Sequence, residues 1–180
     1  MKLVILDRDG VINQDSATFI KNPNEWIPIP GSLDAIALLN QHGYRVVVAT
    51  NQSGIARGYF DMATLNSIHD KMHKALAQVG GRVDAVFYCP HAADDNCSCR
   101  KPKTGMLEEI SRRFNIPLTR APGVGDALRD LQAFASAGCQ PYLVRTGKGE
   151  ETCNLADVPV NTIVVADLAA AVQDIIAGDR

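Results

Sequence analysis

The sequence predicts an α/β fold of three layers, with a mostly parallel central sheet between two layers of helices. Short β-rich apolar runs alternate with helical periods along all 180 residues. The connections between those runs are long enough for helical crossovers, which parallel strands require. Polar clusters fall repeatedly where the apolar runs stop, as they do in sheets whose carboxyl ends carry ligands. The alternation is Rossmann-like.

Leu3-Val4-Ile5-Leu6 reads as the first buried strand, and it runs out at Asp7-Arg8-Asp9-Gly10. Side chains alternate along an extended chain, which sends Asp7 and Asp9 one way and Arg8 the other. Two like charges this close call for a compensating cation or a shared proton; a solvated strand-end turn bent at Gly10 is the plainer alternative. Ser32, behind Pro30-Gly31, is placed to cap a helix from about Leu33 to His42, and Gly43 stops it. Leu33, Ile36 and Ala37 form its inner face, and Tyr44 to Ala49 is the next strand. After Asp61 a longer helix places Leu65, Ile68, Met72, Leu76 and Val79 at steps of three or four, a core stripe ended by Gly80-Gly81. His69 and His73 on that helix have no acidic partner at metalloprotease spacing and read as surface residues.

Ala85-Val86-Phe87-Tyr88 is the third strand, followed by a cysteine-rich loop and a helix marked by Met106, Leu107, Ile110 and Phe114. Gly123-Val124-Gly125-Asp126 closes a short strand and opens a helix from about Leu128 to Ala137. Tyr142 to Val144 and Thr162 to Val165 supply two more strands, and Leu168 to Ala177 a last helix. No repeat, low-complexity segment or linker interrupts the pattern, which predicts a single domain over residues 1–180 with a metal loop at 89–99.

A formal charge of -2 and a pI near 6.1 provide no basic footprint for nucleic acid. No apolar run approaches the roughly 20 residues of a membrane span, and the run after Lys2 is too short for a secretion signal. These features predict a cytoplasmic protein. Cys89-x-His91 and Cys97-x-Cys99 offer three thiolates and an imidazole, the ligand set of a closed, structural zinc site. Structural zinc orders small peptides by about 10 kcal/mol, and here the ordered loop would lead directly into Arg100-Lys101. Cys139 and Cys153 read as ordinary thiols.

Three further polar clusters end strands: Thr50-Asn51-Gln52-Ser53-Gly54, Arg100-Lys101-Pro102-Lys103 and Gly125-Asp126. Sharing one sheet edge, they would bring carboxylates, a hydroxyl, backbone N–H groups and a lysine together. That combination suits a phosphate and a hard cation such as magnesium.

In order and type, Asp7-x-Asp9-Gly10, Thr50-Asn51, Lys101 and Gly125-Asp126 with Asp130 four residues on resemble the haloacid dehalogenase (HAD) superfamily. The run from Thr50 to Gly58 and the segment from Cys89-Pro90-His91 through Cys97-Ser98-Cys99-Arg100-Lys101-Pro102 are similar to its heptose 1,7-bisphosphate 7-phosphatase family. The resemblance implies a HAD fold with no large cap domain and magnesium-dependent hydrolysis of the C7 phosphate of D-glycero-D-manno-heptose 1,7-bisphosphate. It makes Asp7 the nucleophile that forms an aspartyl phosphate, Asp9 the general acid and base, and Thr50, the Asn51 backbone and Lys101 the phosphoryl-binding groups. Magnesium would be bound by Asp7, the Asp9 carbonyl and Asp126. Lys101 is preferred to Lys103 because it precedes proline as the family lysine does.

Substrate contacts implied are Asp15, Ser16, Ala17 and Thr18 after the nucleophile, Gln52, Ser53, and Arg100 toward the sugar or second phosphate. Asp130 either orients Lys101 or a metal-bound water, or is an exposed helical aspartate. Ala127 stands where relatives carry lysine or serine, which removes one distal phosphate contact. Arg145-Thr146-Gly147-Lys148 is either an anion contact or a plain loop. The resemblance further implies a bacterial enzyme of lipopolysaccharide precursor synthesis, monomeric, acting on a small phosphorylated sugar with no nucleic-acid or membrane partner.

Three rivals stand beside this reading. A histidinol-phosphate phosphatase shares a similar zinc loop, and the short reach from His91 to Cys99 resembles it. A catalytically idle zinc-stabilised phosphate-binding module is opposed by the intact Asp7, Asp9, Lys101 and Asp126, and a polynucleotide 3′-phosphatase by the composition.

Overall fold

Along β1 (Lys2–Leu6) and β2 (Tyr44–Asn51) apolar side chains leave on both faces, so the sheet must be covered twice. Val4, Leu6, Val46 and Val48 enter one core, and Leu3, Ile5, Val47 and Ala49 enter the other. The computed structural model describes residues 1–179, and the remaining elements follow as α1 (Ser32–Gln41), α2 (Met62–Gln78), β3 (Ala85–Cys89), α3 (Gly105–Phe114), β4 (Pro122–Gly125), α4 (Leu128–Ser136), β5 (Gln140–Val144), α5 (Gly149–Thr152), β6 (Ile163–Val165) and α6 (Leu168–Gly178). Helices α1, α2 and α6 fill the first core through Ile36, Leu39, Ile68, Met72, Leu76, Val172 and Ile175. Helices α3 and α4 fill the second through Met106, Leu107, Ile110, Ala133 and Phe134.

Every pairing in the sheet is parallel, and the order is β3-β2-β1-β4-β5-β6. β1 therefore has β2 on one side and β4 on the other, with Leu6 opposite both Val48 and Val124. The crossovers change direction here, and the crevice outside the carboxyl ends of β1 and β4 is where such sheets bind ligands. Loops after β1 and β2 fold over that crevice, and among the described residues no separate cap domain forms. No helix among them is long and apolar enough to cross a membrane.

Local chemistry departs from the sequence expectations in a few places. Gly31, at φ 86°, is the N-cap of α1, and Ser32 lies inside the helix with its Oγ donating to the Val11 carbonyl at 2.8 Å. Only glycine enters that left-handed conformation cheaply, so the chain spends the serine on a tertiary bond instead. Val79 closes α2 as an exposed C-cap residue rather than a core one. The single turn α5 and a 3₁₀ turn at Pro23–Glu25 were not expected; the Asn22 side chain, accepting from the Glu25 N–H at 3.2 Å, caps the latter.

Candidate active site

Asp7 is the first residue beyond β1, and its N–H still donates to the Val124 carbonyl at 2.9 Å. Asp126 is the first residue beyond β4, so the two carboxylates meet at the crevice between adjacent strands. Lys101 arrives from the loop before α3, and its ammonium lies 3.0 Å from Asp7 Oδ1, 2.7 Å from Asp130 Oδ1 and 2.6 Å from the Ala49 carbonyl. Its backbone is fixed as well. The Lys101 N–H donates to Asn51 Oδ1 at 3.0 Å, and its carbonyl accepts from Asn51 Nδ2 at 3.1 Å. The Asn51 side chain thus ties the end of β2 to the lysine and leaves only its backbone for a ligand.

Asp130 is completely buried in the first turn of α4, where its Oδ2 accepts from the Ala127 N–H at 3.0 Å. Of the alternatives open from sequence, the geometry realises the orientation of Lys101 and removes the exposed aspartate. Asp126 Oδ2 accepts from the Lys148 N–H at 2.8 Å. Gly10 and Gly147, at φ +83° and +57°, press against it, and a Cβ on either would collide with the Asp126 carboxylate. The backbones of two loops are therefore shaped around this one side chain.

The carboxyl oxygens of Asp7, Asp126 and Asp130 lie within 4.8 Å of one another. Burial, then the charge of Asp130, raises Asp7 to about 6 against the pull of Lys101. Burial, then Asp130 and Asp7, raises Asp126 to about 8. Burial also works against the charge on Asp130, but Lys101 holds its carboxyl below the ordinary range. Burial likewise opposes the Lys101 ammonium, and Asp130 and Asp7 outweigh it. One lysine pairs with two of the three carboxylates, Asp130 more closely than Asp7, and none of its contacts is to Asp126. Asp7 and Asp126 remain short of positive charge, and as all-oxygen donors they fit a hard divalent cation.

Asp9 sits apart from this cluster. Its Oδ1 lies 2.9 Å from Arg8 Nε, 2.8 Å from Arg8 Nη2 and 2.9 Å from Asn13 Nδ2, and its Oδ2 accepts from Gln52 Nε2 at 3.1 Å. Burial raises such a group, yet Arg8, Asn13 and Gln52 together hold it below the ordinary carboxylate range. Two expectations need correction here. Arg8 leaves the strand away from Asp9 but curls back onto its carboxylate, because a fully buried guanidinium must find an anion. His69 is not a surface residue: it is 8% exposed, with Nε2 3.0 Å from Arg8 Nη1, while His73 is exposed as expected.

A cavity of about 430 Å³ opens over these groups, lined by Asp7, Asp9, Asp15, Ser16, Ala17, Thr50, Asn51, Ser53, Arg100, Lys101 and Asp126 among the residues predicted from sequence. Two of the predicted contacts lie outside it. Gln52, 2% exposed, lies behind Thr50 and donates to its Oγ1 at 2.9 Å. Thr18, its Oγ1 3.2 Å from Ser16 Oγ, lines a separate shallow depression with Tyr59. Lys103 is exposed and donates to the Cys97 carbonyl at 2.6 Å, away from the cavity. Phe19, Arg57, Arg129 and Lys148 line it too. Arg57 lay within the motif after Thr50 and Lys148 in a loop left open, whereas nothing in the sequence singled out Arg129 or Phe19. Lys148 reaches across to Asp15 at 3.3 Å. A larger depression of about 620 Å³ lies at the opposite, amino-terminal edge of the sheet around Lys2, Tyr44 and Tyr142, and contains none of the predicted residues.

Beyond β3 the loop folds Cys89, His91, Cys97 and Cys99 onto one point. Cys89 Sγ lies 3.4 Å from His91 Nδ1, 3.7 Å from Cys97 Sγ and 3.1 Å from Cys99 Sγ, and His91 Nδ1 lies 3.3 Å from Cys99 Sγ. A tetrahedral zinc with bonds of about 2.1 to 2.3 Å separates its ligands by about 3.5 to 3.8 Å. The three thiols and one imidazole fit that ion in number, chemistry and approximate spacing. Arg100 begins the next segment and donates to the His91 carbonyl at 3.4 Å, which joins the cluster to the cavity.

Comparison with known proteins agrees with this architecture. The family model described as polynucleotide kinase 3 phosphatase matches residues 2–133, and a HAD-hydrolase-like model matches residues 98–171. The fold and the acidic crevice define a HAD-type phosphatase. Among curated proteins, D-glycero-beta-D-manno-heptose-1,7-bisphosphate 7-phosphatase of Bordetella bronchiseptica is 60% identical over 176 residues, 98% of each chain. The protein of that name from Pseudomonas putida is 52% identical, over 98% of this chain and 100% of the other. A crystal structure of the D,D-heptose 1,7-bisphosphate phosphatase from B. bronchiseptica, complexed with magnesium and phosphate, superposes with a TM-score of 0.97 at 60% identity, covering 99% of both chains. The chain belongs to the D-glycero-beta-D-manno-heptose-1,7-bisphosphate 7-phosphatase family.

Proposed function

We propose that the protein hydrolyses the C7 phosphate of D-glycero-beta-D-manno-heptose 1,7-bisphosphate, giving heptose 1-phosphate and phosphate through an aspartyl phosphate. The observation that carries this reading is Asp7 at the floor of a 430 Å³ cavity, with the Lys101 ammonium at 3.0 Å. A carboxylate at that position needs no separate base to attack phosphorus. Asp7 Oδ forms the bond to phosphorus as the bond to the C7 oxygen breaks. Asp9, ionised while only Arg8, Asn13 and Gln52 surround it, takes up a proton once the anionic phosphate is bound beside it and passes that proton to the leaving oxygen. Asp9 then takes a proton from water, whose oxygen attacks the aspartyl phosphorus and frees both phosphate and Asp7.

Thr50 and the Asn51 backbone bind the transferring oxygens, and Lys101, held from behind by Asp130, carries the charge that spreads over them. Asp7, the Asp9 carbonyl and Asp126 would hold magnesium, which when bound offsets the repulsion between the anionic carboxylate and the phosphate. Arg57, Arg100, Arg129 and Lys148 around the mouth favour a substrate that keeps a second phosphate. Asp15, Ser16, Ala17 and Ser53 line the same space and contact the sugar.

Zinc bound by Cys89, His91, Cys97 and Cys99 is structural in this reading, since all four positions are taken by protein. The enzyme acts as a monomer in the bacterial cytoplasm, in a single domain, on the route to lipopolysaccharide heptose. Relatives named for the β-anomer support that anomer and the heptose substrate over histidinol phosphate. Phosphate release from the β-bisphosphate, the α-bisphosphate and histidinol phosphate, measured for wild type and Asp7→Asn, tests the proposal. Wild type should prefer the β-bisphosphate and need magnesium, and D7N should lose at least about 1000-fold in kcat. A D7N enzyme that still turns over, or a preference for histidinol phosphate, defeats it.

A further inference from the structure

We propose that Arg8 is the positioning residue for the Asp9 carboxylate, and that His69 on α2 keeps Arg8 in place by accepting one of its N–H bonds. The inference rests on Asp9 being the proton carrier. Arg8 is wholly buried, and a buried guanidinium is costly unless its N–H groups find partners. Its Nε and Nη2 converge on Asp9 Oδ1 at 2.9 and 2.8 Å. Its Nη1 points away from Asp9, to His69 Nε2 at 3.0 Å.

Arginine only donates, so His69 Nε2 must be an unprotonated acceptor and the ring hydrogen must sit on Nδ1. Burial, then the Arg8 charge, keeps that ring neutral. The Arg8 backbone serves the same end, because its carbonyl accepts from the N–H groups of Val11, Ile12 and Asn13 at 3.3, 2.8 and 3.3 Å. That tight turn brings the Asn13 amide onto Asp9 Oδ1 at 2.9 Å. Arg8 therefore fixes Asp9 twice, through the Nε–H hydrogen bond and charge of its guanidinium, whose Nη2 makes close ionic contact without a hydrogen bond, and through the turn that delivers Asn13. A lysine has one charged atom and could not bridge the carboxylate and the imidazole in this way.

The pair His69→Gln and His69→Leu carries the test, because glutamine restores an acceptor and leucine restores only volume. Arg8→Lys, Arg8→Met and Asp9→Asn complete the set, with kcat and KM measured on the heptose bisphosphate with magnesium. Magnesium-dependent phosphate binding by calorimetry and thermal melts report on the fold. H69L should lose about tenfold in kcat, the equivalent of one hydrogen bond, with KM within about threefold, and H69Q should recover most of that loss. R8M should lose about 100-fold in kcat, of the order of a missing acid-base group, and R8K should fall between R8M and wild type. Equal losses in H69L and H69Q, or losses confined to KM, overturn the positioning role even if R8M fails to fold. If D9N is inactive while H69L and R8M are normal, only the positioning role falls. If D9N keeps its kcat, the reading of Asp9 itself has failed.

Discussion

Lys101 shows how much of the site's electrostatics is carried by one side chain. It is 1% exposed, and two carboxylates and a carbonyl hold its ammonium where a phosphoryl group would meet it. Asp130 is the stronger partner at 2.7 Å. Asp130→Asn should leave the lysine to Asp7 alone and blunt the nucleophile. We expect kcat to fall by about 10- to 100-fold and stability to fall by about 3 kcal/mol, the cost of breaking a buried pair, read by phosphate release and urea denaturation. His69 makes a prediction of the opposite kind, on stability against pH. Burial, Arg8 and His73 press its imidazole down to about 3 from 6.5. Between those values the unfolded chain binds a proton that the folded chain refuses. The stability present above pH 6.5 should therefore drain away as pH falls toward 3, by about 1 kcal/mol between pH 7 and 5.5. Urea midpoints for wild type and H69Q check this by difference: Asp7 and Asp126, raised to about 6 and about 8, titrate in the same window in both proteins, so the wild type should lose about that much stability relative to H69Q as pH falls.

At the scale of elements, strands and their ends were legible because apolar runs and polar clusters alternate so clearly around Asp7, Thr50 and Asp126. The sequence could not show how side chains fold back. Arg8 alternates away from Asp9 along the chain and returns to it through a four-bond side chain, a reversal that the period of a strand does not encode. His69 looked exposed because its buried partner lies 61 residues away. Arg129 reaches the cavity only because α4 begins immediately beyond β4, and a charge on a helix's first turn carries no mark of what it faces. The cysteine loop was legible from spacing alone. Its removal has an element-scale consequence, since the loop ends at Arg100 and Lys101. Cys97→Ser, or exhaustive chelation, should lower the melting temperature by several degrees and reduce kcat together with zinc content, as followed by calorimetry and metal analysis. Loss of zinc with full activity would separate the loop from the site.

Over the whole molecule, the acidic floor and the basic mouth of the cavity come from different loops around one switch point. Asp7 and Asp126 lie beyond β1 and β4, while Arg57, Arg100, Arg129 and Lys148 are spread over the loops and the helix that surround them. Replacing both Arg57 and Arg129 by alanine should raise KM for the bisphosphate about tenfold or more and leave KM for a heptose 7-monophosphate within about threefold. Equal effects on both substrates would refute a subsite for the retained phosphate. The order of the sheet also bears on how the molecule comes into being. β1 is made first, but one of its two neighbours, β4, begins at Pro122, and the N–H that holds Asp126 belongs to Lys148. A chain released early from the ribosome would own its nucleophile without the residues that arm it. Recovery of phosphatase activity after denaturant dilution should therefore be among the last signals to return, a built-in report that the long-range crossovers are complete.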